Sequence, residues 1–332
     1  MTVKIGLIGA GRIARVHAEN LAFRIPKAKV TAVADIIPDA AKKLAADFQI
    51  PAVFDNHRAI MDDKHIDAVI ICSSTDTHAQ MMTEAAQAGK HIFCEKPIAL
   101  ELLKIDAALE AVKKAQVKLQ VGFNRRFDPS FKRVRELVAA GLIGAPHILR
   151  ITSRDPAPPP LAYVKVSGGI FLDMAIHDFD MARYLIGSEI VQVYAAGNVL
   201  VDPEIGKTGD IDTAVITLRF ASGALGVIDN SRKAVYGYDQ RVEVFGSNGM
   251  AMVANKTPDQ VIQSNGAGVH SAKPLHFFIE RYADAYLEEM REFITCLEEN
   301  KTPSAGGSDG RIAVVIGHAA KKSYEEQRPV QV

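Results

Sequence analysis

An aspartate and a histidine stand four residues apart in the stretch GGIFLDMAIHDFD, residues 168–180. On a helix, Asp173 and His177 would share one face, and Asp180 would continue the same stripe. A histidine has an ordinary pKa of about 6.5 and can therefore transfer protons near neutral pH. We therefore regard these three residues as candidates for catalysis or substrate binding. Asp178 lies off the stripe, and we assign it no catalytic role.

Two other interpretations of this stripe stay open. The stripe, together with the neighbouring Asp178, can form a solvated helix face, although no lysine or arginine stands four residues further on to pair with these acids. Histidine and carboxylates also bind metals, but one histidine with no second one nearby is a poor zinc site. We therefore expect a reaction without metal. The two glycines, Gly168 and Gly169, would let the chain pass close to a substrate or cofactor.

A glycine-rich turn near the N-terminus is the second group of residues with chemical potential. The strand VKIGLI, residues 3–8, leads into Gly9-x-Gly11-x-x-Ala14 and a helical stretch. In this context backbone N–H groups can approach a dinucleotide pyrophosphate at the helix N-terminus. A plain tight turn is the alternative. The turn residues that we expect to contact a cofactor are Gly9, Gly11, Arg12 and Ile13.

The acid at the end of the next strand favours NAD over NADP. KVTAVAD, residues 29–35, ends in Asp35, about two dozen residues past the glycines, where a carboxylate can accept hydrogen bonds from ribose hydroxyls. Ile36 and Ile37 follow, so no arginine or serine is ready to bind a 2′-phosphate. Asp35 could also cap the helix that begins with PDAAKK.

A lysine directly after a buried strand is the third candidate. Pro97 restricts the backbone of Lys96 towards extended geometry, and Glu95 precedes it. A lysine pointing into a dinucleotide crevice could lower the pKa of a bound hydroxyl and stabilise alkoxide charge. The alternative is a lysine paired with a neighbouring carboxylate at the sheet edge.

The elements that would position these residues alternate between strand and helix. Strands at 67–72, 91–94 and 117–123 with helices between them predict a doubly wound parallel sheet with right-handed crossovers. Ligands bind such sheets beyond the carboxyl ends of the strands. The polar residues at those ends, which we expect to contact the cofactor, are Ser73, Ser74, Thr75, His78, Glu95 and Lys96.

The pattern changes after Gly122, and a second domain of the α+β type is expected. Strand-like runs, one of them the alternating TAVITLRF, predict an open antiparallel sheet with helices on one side. The strands are expected at 147–153, 191–197, 212–220, 223–231 and 240–247, and the last helices at 282–300 and 309–327. DPAPPP, residues 155–160, is expected to be a stiff loop. We predict domains at 1–122 and 123–332.

Composition excludes several classes of protein. Thirty-nine basic residues balance 39 acidic ones in 332 residues, and no basic block suggests a nucleic-acid partner. No apolar run approaches about 20 residues, so we expect no membrane span. The N-terminus is unlike a secretory signal. The cysteines Cys72, Cys94 and Cys296 are odd in number and scattered, which favours a reduced cytoplasm.

Three motifs in this order resemble the glucose-fructose oxidoreductase / inositol dehydrogenase / MocA family. They are Gly9-x-Gly11-x-x-Ala14, Glu95-Lys96-Pro97, and Gly168-Gly169 followed by Asp173-x-x-x-His177. The resemblance covers essentially the whole chain. GFNRRFDPSF and YVKVSGGIFLDMAIHDFDMARYL look most like bacterial inositol 2-dehydrogenases within that family.

The resemblance implies a Rossmann domain that binds NAD and a second domain that binds substrate and mediates oligomerisation, with a homotetramer expected. It also implies NAD-linked oxidation of a ring hydroxyl of a cyclic polyol, with myo-inositol as the expected substrate. The implied catalytic set is Lys96, Asp173 and His177. The implied substrate-binding residues are Lys96, Arg125, Asp173, His177, Asp180, Tyr236 and Tyr282.

Other activities stay open. The ring could be scyllo-inositol, D-chiro-inositol or a pyranose. Some relatives keep NAD tightly bound and use transient oxidation for hydrolysis or epimerisation. A non-catalytic NAD(H)-binding regulatory protein is the third alternative, and the intact set of Lys96, Asp173 and His177 is evidence against it.

Overall fold

The computed structural model describes residues 2–332, which form two compact units. The first unit holds residues 2–127 and 284–314, and the second holds residues 128–283 and 315–332. The sequence predicted two consecutive domains instead. The segment 284–314 groups with the first unit because its apolar side chains, among them Met290 and Phe293, are part of that unit's hydrophobic core.

The helices and strands follow in chain order. The helices are α1 (Arg12–Phe23), α2 (Pro38–Phe48), α3 (Arg58–Asp62), α4 (Thr75–Gln87), α5 (Leu102–Ala115), α6 (Pro129–Ala139), α7 (Leu161–Val164), α8 (Gly169–Asp173), α9 (Ala175–Ile186), α10 (Pro203–Gly206), α11 (Phe278–Arg281), α12 (Ala283–Glu298) and α13 (Gly307–Glu326), with a 3₁₀ helix at Asn124–Phe127. The strands are β1 (Val3–Ile8), β2 (Ala28–Ala34), β3 (Ala52–Phe54), β4 (Ala68–Ile71), β5 (His91–Cys94), β6 (Leu119–Val121), β7 (Pro146–Arg154), β8 (Ile190–Asn198), β9 (Thr213–Phe220), β10 (Leu225–Ser231), β11 (Asp239–Gly246), β12 (Gly249–Val253), β13 (Ile262–Asn265), β14 (Gly268–Ser271) and β15 (Val330–Gln331).

The first unit contains a six-stranded parallel sheet in the order β3-β2-β1-β4-β5-β6. This order confirms the predicted doubly wound Rossmann sheet. The strands β1, β4 and β5 are almost wholly buried runs, as expected where helices cover both faces. The carboxyl ends of β1 and β4 lie at one edge, where the strand order changes direction and ligands bind such sheets.

The second unit contains a seven-stranded sheet in the order β12-β11-β7-β10-β9-β8-β15. The predicted open sheet with helices on one side is confirmed, but it is mixed, because β7 and β10 pair in parallel. Antiparallel neighbours such as β9 and β10 are joined by short turns. The chain between β7 and β10 instead includes helices and two strands, and it brings β10 back in the same direction.

One face of this sheet is covered and the other is open. In β9 the side chains of Ala214, Ile216, Leu218 and Phe220 are buried, and the residues between them are half-buried or exposed. Helices α6 and α9 pack on the covered face. This is the alternation that TAVITLRF predicts. Within residues 2–332, no helix has the length and hydropathy needed to cross a bilayer.

Candidate active site

The glycine turn after β1 leaves room for an anionic ligand. Gly9 has a φ of +96°, and a Cβ atom there would lie 2.6 Å from the carbonyl oxygen of Cys72. Only glycine tolerates both conditions. At Gly11 a Cβ atom would meet nothing within 4 Å. Helix α1 has no side-chain cap and no acid in its first turn, so its N-terminal N–H groups suit a pyrophosphate.

Asp35 closes the other side of this turn. Its carboxylate accepts hydrogen bonds from the backbone N–H of Ala10 at 2.6 Å and of Ile37 at 2.8 Å. The alternative in which Asp35 caps helix α2 is wrong, because α2 has no side-chain cap. The carboxylate is fixed beside the glycine turn and keeps further lone pairs for ribose hydroxyls. The glycine turn and the fixed Asp35 carboxylate fit NAD as the cofactor. Arg12 and Ile13, on the first turn of α1 beside them, are exposed and half-buried respectively.

The polar residues after β4 begin helix α4. Ser74 is its N-terminal flanking residue, Thr75 is its first residue, and the Ser73 hydroxyl lies 2.7 Å from the Thr77 hydroxyl. His78 is buried, and its Nδ1 and Nε2 atoms lie 2.9 Å and 3.0 Å from the carbonyl oxygens of Pro97 and Ser73. The imidazole therefore ties the segment after β4 to the segment after β5, which is a role that the sequence did not indicate.

Lys96 lies half-buried directly after β5, and the Lys96–Pro97 peptide bond is cis. Glu95 points inward, with its Oε1 atom 2.7 Å from Nε2 of His17. The predicted contact of the Glu95 side chain with the cofactor stays a prediction, whereas its contact with a buried histidine is the observed one. Arg125 is buried within the 3₁₀ helix that follows β6.

In the second unit, Asp173 is part of a buried ion pair. Its Oδ2 atom accepts a hydrogen bond from Nη1 of Arg232 at 2.9 Å, and its Oδ1 atom accepts one from the Tyr163 hydroxyl at 2.8 Å. The guanidinium also lies 3.7 Å from Asp155. Burial works to lower the pKa of Arg232, but attraction to Asp173 and Asp155 outweighs it and the pKa is raised. Burial, followed by the charge of Asp173, raises the pKa of Tyr163.

Sequence reasoning missed Arg232 and Tyr163. Arg232 is 2% exposed and follows β10, 59 residues after Asp173. Helical spacing relates only residues that are three or four positions apart. It therefore cannot reveal an ion-pair partner that comes from a strand. An arginine directly after a predicted buried strand was the one available signal, the same kind of signal that identified Lys96.

The predicted continuous helix is interrupted at Met174. Helix α8 ends at Asp173 and α9 begins at Ala175, so Asp173 and His177 lie on two consecutive helices. His177 is half-buried in the first turn of α9. Asp180 is 1% exposed, so the interpretation of this stripe as a solvated face is wrong.

Asp178 and Gly169 have structural roles. The Asp178 carboxylate accepts a hydrogen bond from the Asn230 side chain at 2.9 Å. Gly169 has a φ of +80°, and a Cβ atom there would lie 2.8 Å from Oδ1 of Asp210. That carboxylate accepts the N–H of Ile170 at 3.0 Å. The sequence predicted that the chain at the glycines passes close to a substrate or cofactor. The group that lies close to Gly169 in the structure is the Asp210 carboxylate.

The two tyrosines predicted to bind substrate have partners within the protein. The Tyr236 hydroxyl donates to Asp239 at 2.6 Å and accepts from Arg154 at 3.1 Å. It lines a depression of about 390 Å³ together with Val215 on the open face of the sheet. The Tyr282 hydroxyl lies 3.1 Å from Oε1 of Gln240 in a buried aromatic cluster. Their contact with substrate stays a prediction.

Comparison with known proteins agrees with both halves of this description. Residues 3–123 match the NAD-binding Rossmann-fold domain of the GFO/IDH/MocA oxidoreductases, and residues 131–252 match a C-terminal domain of that family. A myo-inositol 2-dehydrogenase of Thermotoga maritima is 52% identical over 99% of this chain and 98% of its own. An inositol 2-dehydrogenase of Rhizobium meliloti is 46% identical over 100% of both chains. The crystal structure of scyllo-inositol dehydrogenase from Lactobacillus casei with bound NAD(H) and scyllo-inositol is 32% identical, with a TM-score of 0.93 over 100% of this chain and 99% of that one.

Alanine substitutions at the two glycines should separate folding from cofactor binding. Gly9→Ala should lower the free energy of unfolding by at least about 2 kcal/mol, because the methyl group meets a carbonyl oxygen and φ is positive. Gly11→Ala should keep the wild-type melting temperature but weaken NAD binding at least about tenfold, a loss of about 1.4 kcal/mol. Calorimetry measures both quantities. A Gly9→Ala protein with wild-type stability would contradict the geometry of the turn.

The Arg232–Asp173 pair should show strong energetic coupling. Arg232→Met should cost about 3–5 kcal/mol in the free energy of unfolding, because it leaves a buried carboxylate without its cation. Asp173→Asn in the same chain should recover part of that loss, as measured by urea denaturation. The control is Arg219→Met, at an exposed arginine of β9, with an expected change within about 0.5 kcal/mol. Additive losses in the double variant would mean that the pair does not act as a unit.

Proposed function

This chain belongs to the GFO/IDH/MocA family of oxidoreductases, and from that premise we propose that it is an NAD-dependent inositol 2-dehydrogenase. The proposed reaction is oxidation of the C2 hydroxyl of myo-inositol to the ketone 2-keto-myo-inositol, also named scyllo-inosose. The full-length identity of 52% with a myo-inositol 2-dehydrogenase is the main support. The glycine turn and the fixed Asp35 carboxylate are consistent with NAD as the cofactor.

The identity of the ring is the finer part of the proposal. A relative that is 32% identical binds scyllo-inositol in its crystal structure, which supports scyllo-inositol as an alternative substrate. D-chiro-inositol and pyranoses are further alternatives. A non-catalytic NAD(H)-binding role is the alternative of another class. The chain's full set of Lys96, Asp173 and His177 supports an enzyme.

Side chains of this protein would remove the hydroxyl proton of the substrate and stabilise the negative charge on its oxygen. When bound, NAD supplies the ring that takes up the hydride from the alcohol carbon. We propose that the His177 imidazole removes the hydroxyl proton, and that the Lys96 ammonium stabilises the negative charge that develops on the oxygen. Arg232 and Tyr163 hold both carboxylate oxygens of Asp173 in fixed directions. Such a carboxylate is suited to orient a hydroxyl or the imidazole.

We also propose that the protein is a homotetramer of the cytoplasm that associates through the open face of the seven-stranded sheet. The strand register places Val215, Leu225, Ile148 and Phe245 on that one face, and each of them is between 38% and 50% exposed. Leu225, Ile148 and Phe245 are direct neighbours across three strands, and an exposed apolar row of this kind is typical of an association surface. The odd number of scattered cysteines supports a reduced compartment.

Reduction of NAD by a panel of inositol isomers and aldoses tests the proposed reaction. We expect net NADH production, followed at 340 nm, with the highest kcat/KM for myo-inositol. NADP should give a lower kcat/KM than NAD, because the Asp35 carboxylate repels a 2′-phosphate. Binding of NAD without turnover of any ring would favour the regulatory alternative. Turnover without net NADH would favour transient oxidation.

Variants of two residues test the proposed roles in the same assay. His177→Ala should lower kcat by about 10²–10⁴-fold at neutral pH, because a positioned base is lost. Lys96→Ala should lower kcat about 10²–10³-fold and leave the Kd of NAD within a small factor. Full turnover by His177→Ala would disprove its role in proton transfer. A change in NAD affinity alone would make Lys96 a cofactor ligand.

Charges on the open sheet face should break the assembly. Val215→Glu combined with Phe245→Glu should reduce the mass in solution from four chains to fewer, because like charges would be buried in the interface. The control is Val261→Glu, a 68% exposed position outside the seven-stranded sheet, which should stay tetrameric. Light scattering after gel filtration measures the mass. Wild-type protein that elutes as a monomer would refute the assembly.

A further inference from the structure

A histidine and two acids form a buried cluster in the first unit, behind the Glu95-Lys96-Pro97 segment. His17 of α1, Glu95 and Glu289 of α12 each place one ligand atom within 4.8 Å of those of the other two. His17 and Glu289 are 0% exposed, and 13% of the Glu95 side chain is exposed. The reaction proposed above does not use His17 or Glu289.

Within this cluster, His17 and Glu95 form a direct hydrogen bond. Nε2 of His17 lies 2.7 Å from Oε1 of Glu95, and Nδ1 of His17 is buried without a partner. A neutral imidazole that carries its proton on Nε2 fits both observations, because a buried N–H on Nδ1 would lack an acceptor. The other Glu95 oxygen packs on Gly122, where a Cβ atom would lie only 2.8 Å away.

Glu289 is the unexplained member. Both of its carboxylate oxygens are buried without a hydrogen-bond partner. The charged groups that act on it, Glu95 after β5 and Glu292 on its own helix, are both acids. Other groups here, the thiols of Cys72 and Cys94, are uncharged, because burial raises their pKa well above the usual value. Burial, and then repulsion by Glu95, raises the pKa of Glu289 well above its usual value.

We propose that Glu289 is held as a neutral carboxylic acid, and that it and His17 position Glu95 and thereby the backbone of Lys96. A second buried carboxylate within 4.8 Å would repel Glu95 away from His17. A neutral acid instead leaves Glu95 as the only negative charge of the three. The positioning part rests on the proposed catalytic role of Lys96, whereas the protonation of Glu289 does not.

Two protons, one in the hydrogen bond between His17 and Glu95 and one on Glu289, explain the cluster better than a metal ion. Three ligands of this kind could bind a divalent cation. However, the 2.7 Å contact between His17 and Glu95 is a hydrogen-bond distance that contains the proton. Nε2 and Oε1 would have to separate to receive an ion between them, since metal–ligand distances are about 2.0–2.2 Å on each side.

The protonation is tested by stability against pH in Glu289→Gln, without substrate. The folded chain would hold one proton that the unfolded chain releases above its ordinary pKa near 4.5. The wild-type folding constant should therefore fall up to tenfold per pH unit relative to Glu289→Gln as pH rises from about 5. Urea denaturation at pH 5.5 and 7.5 should show up to a hundredfold divergence. The control, Glu288→Gln, changes a half-buried acid of α12 whose side chain is 41% exposed, and it should show none.

Two results would overturn the proposal that Glu289 is protonated. One is a ratio between wild type and Glu289→Gln that does not change with pH, which would mean an ionised Glu289. The other is one equivalent of divalent metal in purified wild-type protein that Glu289→Gln lacks, measured by elemental analysis.

The positioning is tested by kinetics. Wild-type kcat should fall as rising pH removes the proton from Glu289, and this decrease should be absent from Glu289→Gln, whose kcat at pH 7 should stay within about twofold. His17→Gln, which keeps an N–H near the Nε2 position, should retain most of kcat. His17→Leu should lose about tenfold in kcat with the Kd of NAD unchanged, since one hydrogen bond to a charged group is lost. Identical alkaline profiles, or equal kcat in the two His17 variants, would disprove the positioning.

These outcomes separate this inference from the proposed function. If the stabilities of wild type and Glu289→Gln diverge with pH but the protein oxidises no inositol, the neutral Glu289 is established and the proposed function is refuted. If the protein oxidises inositol but the two stabilities do not diverge, the proposed function is supported and the neutral Glu289 is refuted.

Discussion

Parallel pairing of β1 with β4 brings both strand ends to one edge of the Rossmann sheet, where Gly9 lies against the carbonyl group of Cys72. This contact leaves no room for a side chain, and the cofactor side of the first unit is organised around it. It directs the chain into α1 with the helix N–H groups exposed to a ligand. Asp35 then fastens the turn through the N–H of Ala10. His78 connects the loops after β4 and β5 on the same edge.

In the second unit, the constraint is the burial of charge on helices that are otherwise apolar. Asp173, Asp178 and Asp180 are each at most 9% exposed, and a buried carboxylate is costly unless a cation or a donor meets it. Arg232 and Asn230, from β10 and the residues just after it, supply those contacts to Asp173 and Asp178. The ion pair therefore fastens the end of α8 to the sheet and gives the Asp173 carboxylate one orientation.

Local patterns were enough for most of the fold. Period-two alternation and buried runs placed most strands of both sheets within a few residues. The short strands β3, β12 and β15, the exposed β13–β14 pair and the parallel pairing of β7 with β10 were not predicted. These strands have at most five residues and show no clear alternation, and pairing direction depends on the path of the chain between strands. The predicted single helix also failed to show its interruption at Met174.

For the candidate site, residue types and spacing indicated the glycine turn, Asp35, Lys96, Asp173 and His177 as candidates, because each stands at the end of a strand or on a helix whose period is readable. Only the tertiary structure decided which groups surround them. Arg232 lies 59 residues along the chain from Asp173, and Glu289 lies on α12, far along the chain from Glu95. The energy of a buried charge depends on its partners in space, and no local period encodes a partner that the fold brings from a distant strand or helix.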